Sequence, residues 1–233
     1  MATRFRKDDK SKDRKNTEAE VHMIGELDVG WGFDIEDGEG LFVEFSIQHG
    51  QSWLALSRMA ESCQQTQTAF ADESNVHVWN QPLDFHWVTD SLTTWPRLRL
   101  QVWKLDRNGR LDVVSYGTVS LPCTAGHHEL TVSTWTPRGL RNEELYAAFC
   151  GSRPQLMQLE LIDKGAKERH FFPTSSSGKI SLTVDVVLRN FAYHQIEHRP
   201  FVEDRSGKAN AVGPGIAGLR GSMTGLGKSI GLN

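Results

Sequence analysis

The residues most able to do chemistry in this chain lie far apart. His194, Glu197 and His198 stand in the order H-x-x-E-H. On a helix that order puts two imidazoles four residues apart as zinc ligands, beside a carboxylate base. Arg199-Pro200 follows at once, and a helix usually stops before the residue preceding proline. The motif also lies in a tail with no core to hold a metal, so it reads as a chance match. His127 and His128 are adjacent, and on a strand they point to opposite faces, a poor arrangement for chelating one ion. Cys63, Cys123 and Cys150 are odd in number, distant from one another and in no metal-ligand spacing. They read as small apolar residues of a reducing compartment. No Ser/His/Asp order and no glycine-rich phosphate loop presents itself, so the sequence does not argue for an enzyme, a metal or a cofactor.

What remains is the chemistry of recognition. Seven tryptophans, Trp31, Trp53, Trp79, Trp87, Trp95, Trp103 and Trp135, are many for one domain. Tryptophan and arginine concentrate binding energy at interfaces. Trp95, Arg97, Arg99, Trp103, Arg107 and Arg110 fall within sixteen residues and form the candidate partner-binding surface.

The elements that must position them centre on residues 95–122. Leu98, Leu100 and Val102 alternate with Arg99, Gln101 and Trp103, the period of a half-buried strand. Trp103 falls on the face opposite the leucines. Either both faces of that strand are covered or Trp103 joins an exposed patch. Asp106 to Gly109 supplies turn chemistry. The chain returns through Val113, Val114, Tyr116 and Val119, and Pro96 and Pro122 bracket the pair.

Upstream, residues 21–27 make a first strand and an acidic loop holds Asp34, Glu36, Asp37 and Glu39. Leu41, Val43, Phe45 and Ile47 alternate cleanly as a second strand. Residues 64–70 predict a third, Trp79 to Pro82 a turn, and Leu83, Phe85 and Trp87 a fourth strand. Downstream, Leu130 and Val132 lie on a strand ending at Pro137. Residues 140–150 carry an apolar stripe (Leu140, Leu145, Ala148, Phe149) with Glu143 and Glu144 in the first turn, predicting a helix over one open end. Residues 155–162 fit helix or strand. Ile180, Leu182, Val184, Val186 and Leu188 close the domain as a strand. About eight short strands and one short helix predict an all-β antiparallel sandwich.

Three regions follow: a charged arm at 1–19, a folded domain at 20–191 and a glycine-rich tail at 192–233. The arm has seven Lys/Arg and four Asp/Glu and no periodicity, which predicts disorder. The domain has 14 basic and 22 acidic residues, a net charge near −8, against about +5 for the two ends together. A nucleic-acid-binding domain shows the opposite arrangement. No run of 18 apolar residues appears, and no apolar segment follows the basic start. These features predict a cytoplasmic protein, at most peripheral to a membrane. In the tail, Ile216, Leu219, Met223, Leu226 and Ile230 recur at helical spacing. The glycines between them, each costing roughly 1 kcal/mol against alanine, keep such a helix from forming alone.

Several of these pieces together resemble the B9-domain family. They are Trp79 with Pro82-Leu83-Asp84, Trp95-Pro96-Arg97-Leu98, Gln101-Val102-Trp103, Asp106, Gly109-Arg110 and Tyr116-Gly117. Trp135-Thr136-Pro137 and the closing Leu188-Arg189-Asn190-Phe191 complete the pattern. The resemblance spans about residues 20–191. It implies a C2-like sandwich acting without catalysis in the Meckel syndrome complex of the ciliary transition zone, at the basal body and beside the ciliary membrane. It further implies association with other B9-domain proteins and with transition-zone membrane proteins, and a part in ciliogenesis and the ciliary diffusion barrier.

The C2 likeness brings one rival, a calcium-dependent phospholipid-binding module. Calcium-holding C2 loops typically read Trp-Asp-x-Asp with a further aspartate six positions on. Here Lys104 stands where the first carboxylate belongs, while Asp106 and Asp112 keep the other two places. Calcium wants six to eight oxygens, and an ammonium repels it. The rival then turns on whether Asp34 or Asp37 lies at the same end as Asp106.

Overall fold

The computed structural model describes residues 18–139, 154–163 and 173–194, together with Asn142, Leu145 and Phe149. Ten strands follow in chain order: β1 (Ala19–Trp31), β2 (Gly40–Gln48), β3 (Trp53–Ala55), β4 (Gln64–Gln65), β5 (Ala69–Phe70), β6 (Val76–Thr89), β7 (Arg97–Leu105), β8 (Leu111–Ser120), β9 (Gly126–Pro137) and β10 (Thr174–Arg189). Among the described residues two single-turn helices lie between them, α1 (Arg58–Glu61) and α2 (Glu160–Asp163), beside the three helical residues at 142, 145 and 149.

All the strand pairs are antiparallel, and they form one path ordered β3-β6-β1-β10-β9-β8-β7-β2-β4, with β5 beside β2. β8 and β9 meet at a single pair, Tyr116 with Trp135. The path curls there into two layers. Alternation then does the rest, since every second side chain of a strand faces inward. Val21, Met23 and Leu27 of β1, Phe85 and Trp87 of β6 and Leu182 and Val184 of β10 meet Val43 and Phe45 of β2 and Leu98, Leu100 and Val102 of β7 in one apolar core. The predicted all-β antiparallel C2-like sandwich is the fold, with two more strands among the described residues than expected.

Two local expectations change. Trp79 to Pro82 is not a turn; it lies within β6, where Asn80 takes a φ of 44° and the register with β1 slips between Leu27 and Val29. Pro82 is tolerated because β3 flanks β6 only at Trp87 to Thr89, so Pro82 has a strand on one side alone. Residues 64–70 are two short strands, not one. Thr66 breaks them by turning its side chain inward, where its Oγ1 accepts from the Val43 amide at 3.0 Å. β3 and α1 carry too few residues to show a period. Of the helix predicted over 140–150, only Asn142, Leu145 and Phe149 are described. All three are helical, with Leu145 and Phe149 exposed, and the remainder lies outside the described residues.

A second, smaller core sits on the outer face of the β2–β7–β8 layer. Ile162 is fully buried against Val113, Tyr116 and Trp135, with Trp103, Leu156 and Leu159 packed around them. Tyr116 Oη accepts from the Leu156 amide at 3.0 Å and so ties the segment leading into α2 to β8. The choice posed for Trp103 is settled: both faces of β7 are covered.

Candidate functional site

The six residues of the candidate surface spread along β7, three at its first end, two past its far end and Trp103 between them. Nine residues at about 3.3 Å each put roughly 26 Å between its ends. At the first end, the Trp95 ring meets Trp53 edge to face at 4.9 Å, and its Nε1 donates to the Leu121 carbonyl at 2.9 Å. Arg97 Nη1 donates to the Asp163 carbonyl at 3.2 Å, and the Arg99 guanidinium pairs with the Asp163 carboxylate. Arg99 is thereby spent on holding α2 down, whereas Arg97 stays exposed. An open groove lined by Gln48, Thr94, Trp95, Arg97, Ser120 and Asp163 marks this end.

In mid-strand, Trp103 stacks parallel on Phe42 with centroids 6.2 Å apart. Its Nε1 donates to Glu44 Oε2 at 3.0 Å, and Cys63 Sγ donates to the other oxygen of that carboxylate at 3.1 Å. Burial above all, then Glu44, pushes the Cys63 thiol up to about 12.

At the far end, the β7–β8 connection is an aspartate turn. Asp106 Oδ1 accepts from the amides of Asn108 at 2.7 Å and Arg110 at 2.8 Å, and Gly109 closes the turn with a φ of 80°. The Arg110 amide above all holds the Asp106 carboxyl below the usual carboxylate range, opposed by desolvation and helped by the Asn108 amide. Arg107 donates to the Asp37 carbonyl, and Arg110 Nε lies 3.5 Å from Asp112.

Asp37 and Asp106 therefore do share an end. What joins the two loops is an ion pair: Lys104 Nζ reaches Glu39 Oε1 at 2.8 Å, both side chains largely buried. Lys104 stands across from Asp112 in register, and Glu39 Oε2 accepts from the Glu36 amide at 2.9 Å. The weak calcium candidates Asp106 and Asp112 are thus engaged by turn amides and by Arg110. Among the described residues, no group of three or more histidines, cysteines and carboxylates is arranged to hold a metal ion.

The two histidines do point apart. His127 Nδ1 lies 2.9 Å from Asp185 and His128 Nε2 lies 2.8 Å from the Thr124 carbonyl. His194 closes a turn after β10, and the rest of its H-x-x-E-H motif lies outside the described residues. Sequence reasoning missed the Lys104–Glu39 pair. Its signal was the lysine in a carboxylate position, but the partner lies 65 residues away.

A curled antiparallel sandwich of this kind defines the class as C2-like. The family model "Ciliary basal body-associated, B9 protein" matches residues 21–187, and the chain belongs to this B9 family. It is 37% identical over 180 residues to B9 domain-containing protein 2 of Rattus norvegicus, covering 77% of this chain and 99% of the relative. The Homo sapiens protein of that name is 36% identical over 179 residues, with the same coverage. B9 domain-containing protein 1 of Mus musculus is 25% identical over 153 residues, 65% of this chain and 74% of the relative. Among solved structures, the C2A domain of plant Extended Synaptotagmin 1 aligns with a TM-score of 0.41 at 13% identity, covering 81% of this chain and 98% of that domain. Among the described residues, no helix is long and apolar enough to cross a membrane.

Proposed function

We propose that this protein is a non-catalytic scaffold subunit of the ciliary transition-zone Meckel syndrome complex. It binds other B9-domain proteins and transition-zone membrane proteins, supports ciliogenesis and contributes to the ciliary diffusion barrier. The observation that carries this reading is the family match, which runs through nearly the whole sandwich and nearly the full length of the curated relatives. The lysine-tied loops favour it over the calcium rival. A cation fixed to the chain gives the loops their neutralising charge without an exchangeable ion. The exposed Arg97 and the open groove beside Trp95 are the proposed sibling-binding end of the Trp95–Arg110 segment, and Arg107 and Arg110 bound its other end.

The test is a pull-down with the full chain from a ciliated-cell extract, run in parallel with calcium and with chelator. Equal recovery of other B9-domain proteins in both conditions is the expected result. Recovery of lipid or partners only with calcium would overturn the scaffold in favour of a calcium sensor. Unchanged recovery by the Arg97→Glu/Arg110→Glu variant would remove these two arginines from the interface.

A further inference from the structure

The two outer faces of the sandwich differ. The β2–β7–β8 face is covered by the chain itself, through Leu156, Leu159 and Ile162 at the centre and Asp163 on Arg99 at the rim. That cover is apolar with an acidic end, and the face beneath it carries arginine. On the outer face of the β6–β1–β10–β9 layer, Ile24 is 48%, Val187 55% and, on flanking β3, Leu54 63% exposed. The described residues put no such cover over it.

Strand register orders this open face into rows. Asp84, Ile24, Asp185 and His127 stand side by side across four strands. The next row is His86, His22 and Val187, and the next Val88, Glu20 and Arg189. His22 Nε2 lies 2.8 Å from Asp84, His127 Nδ1 2.9 Å from Asp185, and His22 stacks on His86 at 4.8 Å. On the other side, Glu26 and Glu129 flank Thr183 in register, and Asp28 reaches Ser181 and Thr183. Glu20, Glu26, Asp28, Asp84, Asp185 and Glu129 thus share the face with two side chains of full positive charge, Arg189 and Lys179. The result is an apolar centre framed by carboxylates, inverse in charge to the face that the chain covers for itself.

We infer that this face docks a basic amphipathic helix of a partner chain. The spacing fits: Asp84 and Asp185 are two strand spacings apart, about 10 Å, with Ile24 between them. Cations at i and i+7 of a helix lie about 10.5 Å apart, and apolar residues at i+3 and i+4 fall between them. A second copy meeting this face with its own would oppose carboxylate to carboxylate, and an anionic membrane is repelled in the same way. A scaffold needs more than one contact surface, and this one lies on the layer opposite the Trp95–Arg110 segment. The inference rests on the face itself and survives if sibling B9 proteins are not the partners.

The test is fluorescence anisotropy of the full chain with a labelled helical peptide of about 14 residues, two heptads, with lysines at i and i+7 around leucines at i+3 and i+4. The control peptide carries glutamate for lysine. Preference for the lysine peptide is expected, with affinity falling about tenfold in Asp84→Asn/Asp185→Asn and again in Ile24→Ser, and unchanged in Arg97→Glu. The aspartates are exposed and the change is isosteric, so the double variant keeps its fold. If Ile24→Ser lowers the melting temperature, the aspartate pair alone decides. Equal affinity for the native chain and the double variant would overturn the inference. So would a rise in peptide binding on removal of residues 1–18, which would give the face to the chain's own arm. Binding to phosphatidylserine vesicles that the double variant loses would also overturn it.

Discussion

Glu44 carries two jobs on one carboxylate: one oxygen accepts from the Trp103 indole and the other from the Cys63 thiol. A thiol held at about 12 is a thiolate only on the order of once in 10⁴ molecules at pH 8. Cys63 is exposed by area yet should alkylate slowly with iodoacetamide. Glu44→Gln removes the repulsion while keeping an acceptor, and should speed modification of Cys63 at pH 8 about tenfold or more. Peptide mapping by mass spectrometry reads this directly, and an unchanged rate would mean that burial alone sets the thiol. His77 is a second residue whose surroundings decide its charge. Its ring is fully buried between Trp79, stacked at 6.3 Å, and the edge of Phe33. Burial holds its pKa below the ordinary value, opposed by the Gly30 backbone. The unfolded chain binds that proton near pH 6.5 and the native chain does so only at lower pH. The stability contribution of neutral His77 is therefore complete above about pH 6.5 and is lost as pH falls toward the native pKa. His77→Phe should flatten the decline in unfolding free energy between about pH 7 and pH 5, measured by urea titration. A decline as steep as that of the native chain would assign acid lability to other groups.

At the scale of elements, β1 is the strand most constrained by its neighbours, because it pairs along its length with both β6 and β10. Gly25 sits at its middle, and a Cβ there would be driven into the Thr183 carbonyl of β10. Backbone cannot swing aside as a side chain can, so Gly25→Ala should cost at least about 2 kcal/mol. Denaturant unfolding checks it; a loss below half that figure would show that β10 yields. The same element shows what the sequence could reveal. β2, β7 and β10 were legible because one face of each meets a core, so apolar residues recur at every second place. β6 was legible only from Leu83 onward. Its first half carries Asn80 and Pro82, which are turn residues by type, and only the neighbouring β1 makes them a bulge in a strand. The pair of Arg99 with Asp163 and that of Lys104 with Glu39 were not legible at all. Each joins residues about 65 apart through a fold whose topology periodicity does not encode. The six candidate residues were close in sequence because they lie on one strand and its connections. A strand separates its ends in space, and so the structure divides them.

At the scale of the whole molecule, the sandwich is built of two unequal bodies of apolar contact. The large core joins both layers, while the small one glues a single segment to an outer face through Ile162. Among the described residues, that segment is held by Ile162 with Leu156 and Leu159 beside it, by the Leu156 amide on Tyr116 and by Asp163 on Arg97 and Arg99. A unit with so few buried contacts opens more easily than the strands it covers. Ile162→Ala empties a fully buried site and should cost about 2–5 kcal/mol where the segment is held. The loss should be local. Hydrogen exchange at residues 156–163 should speed by orders of magnitude, while amides of β1 and β10 keep their native protection. Trp103 and Tyr116 would become accessible at the same time, so the arginine-bearing face would open to outside partners. Equal loss of protection in β1 and β10 would instead make the segment part of one cooperative unit. The contrast between a self-covered face and an open one would then be a matter of composition rather than of independent parts.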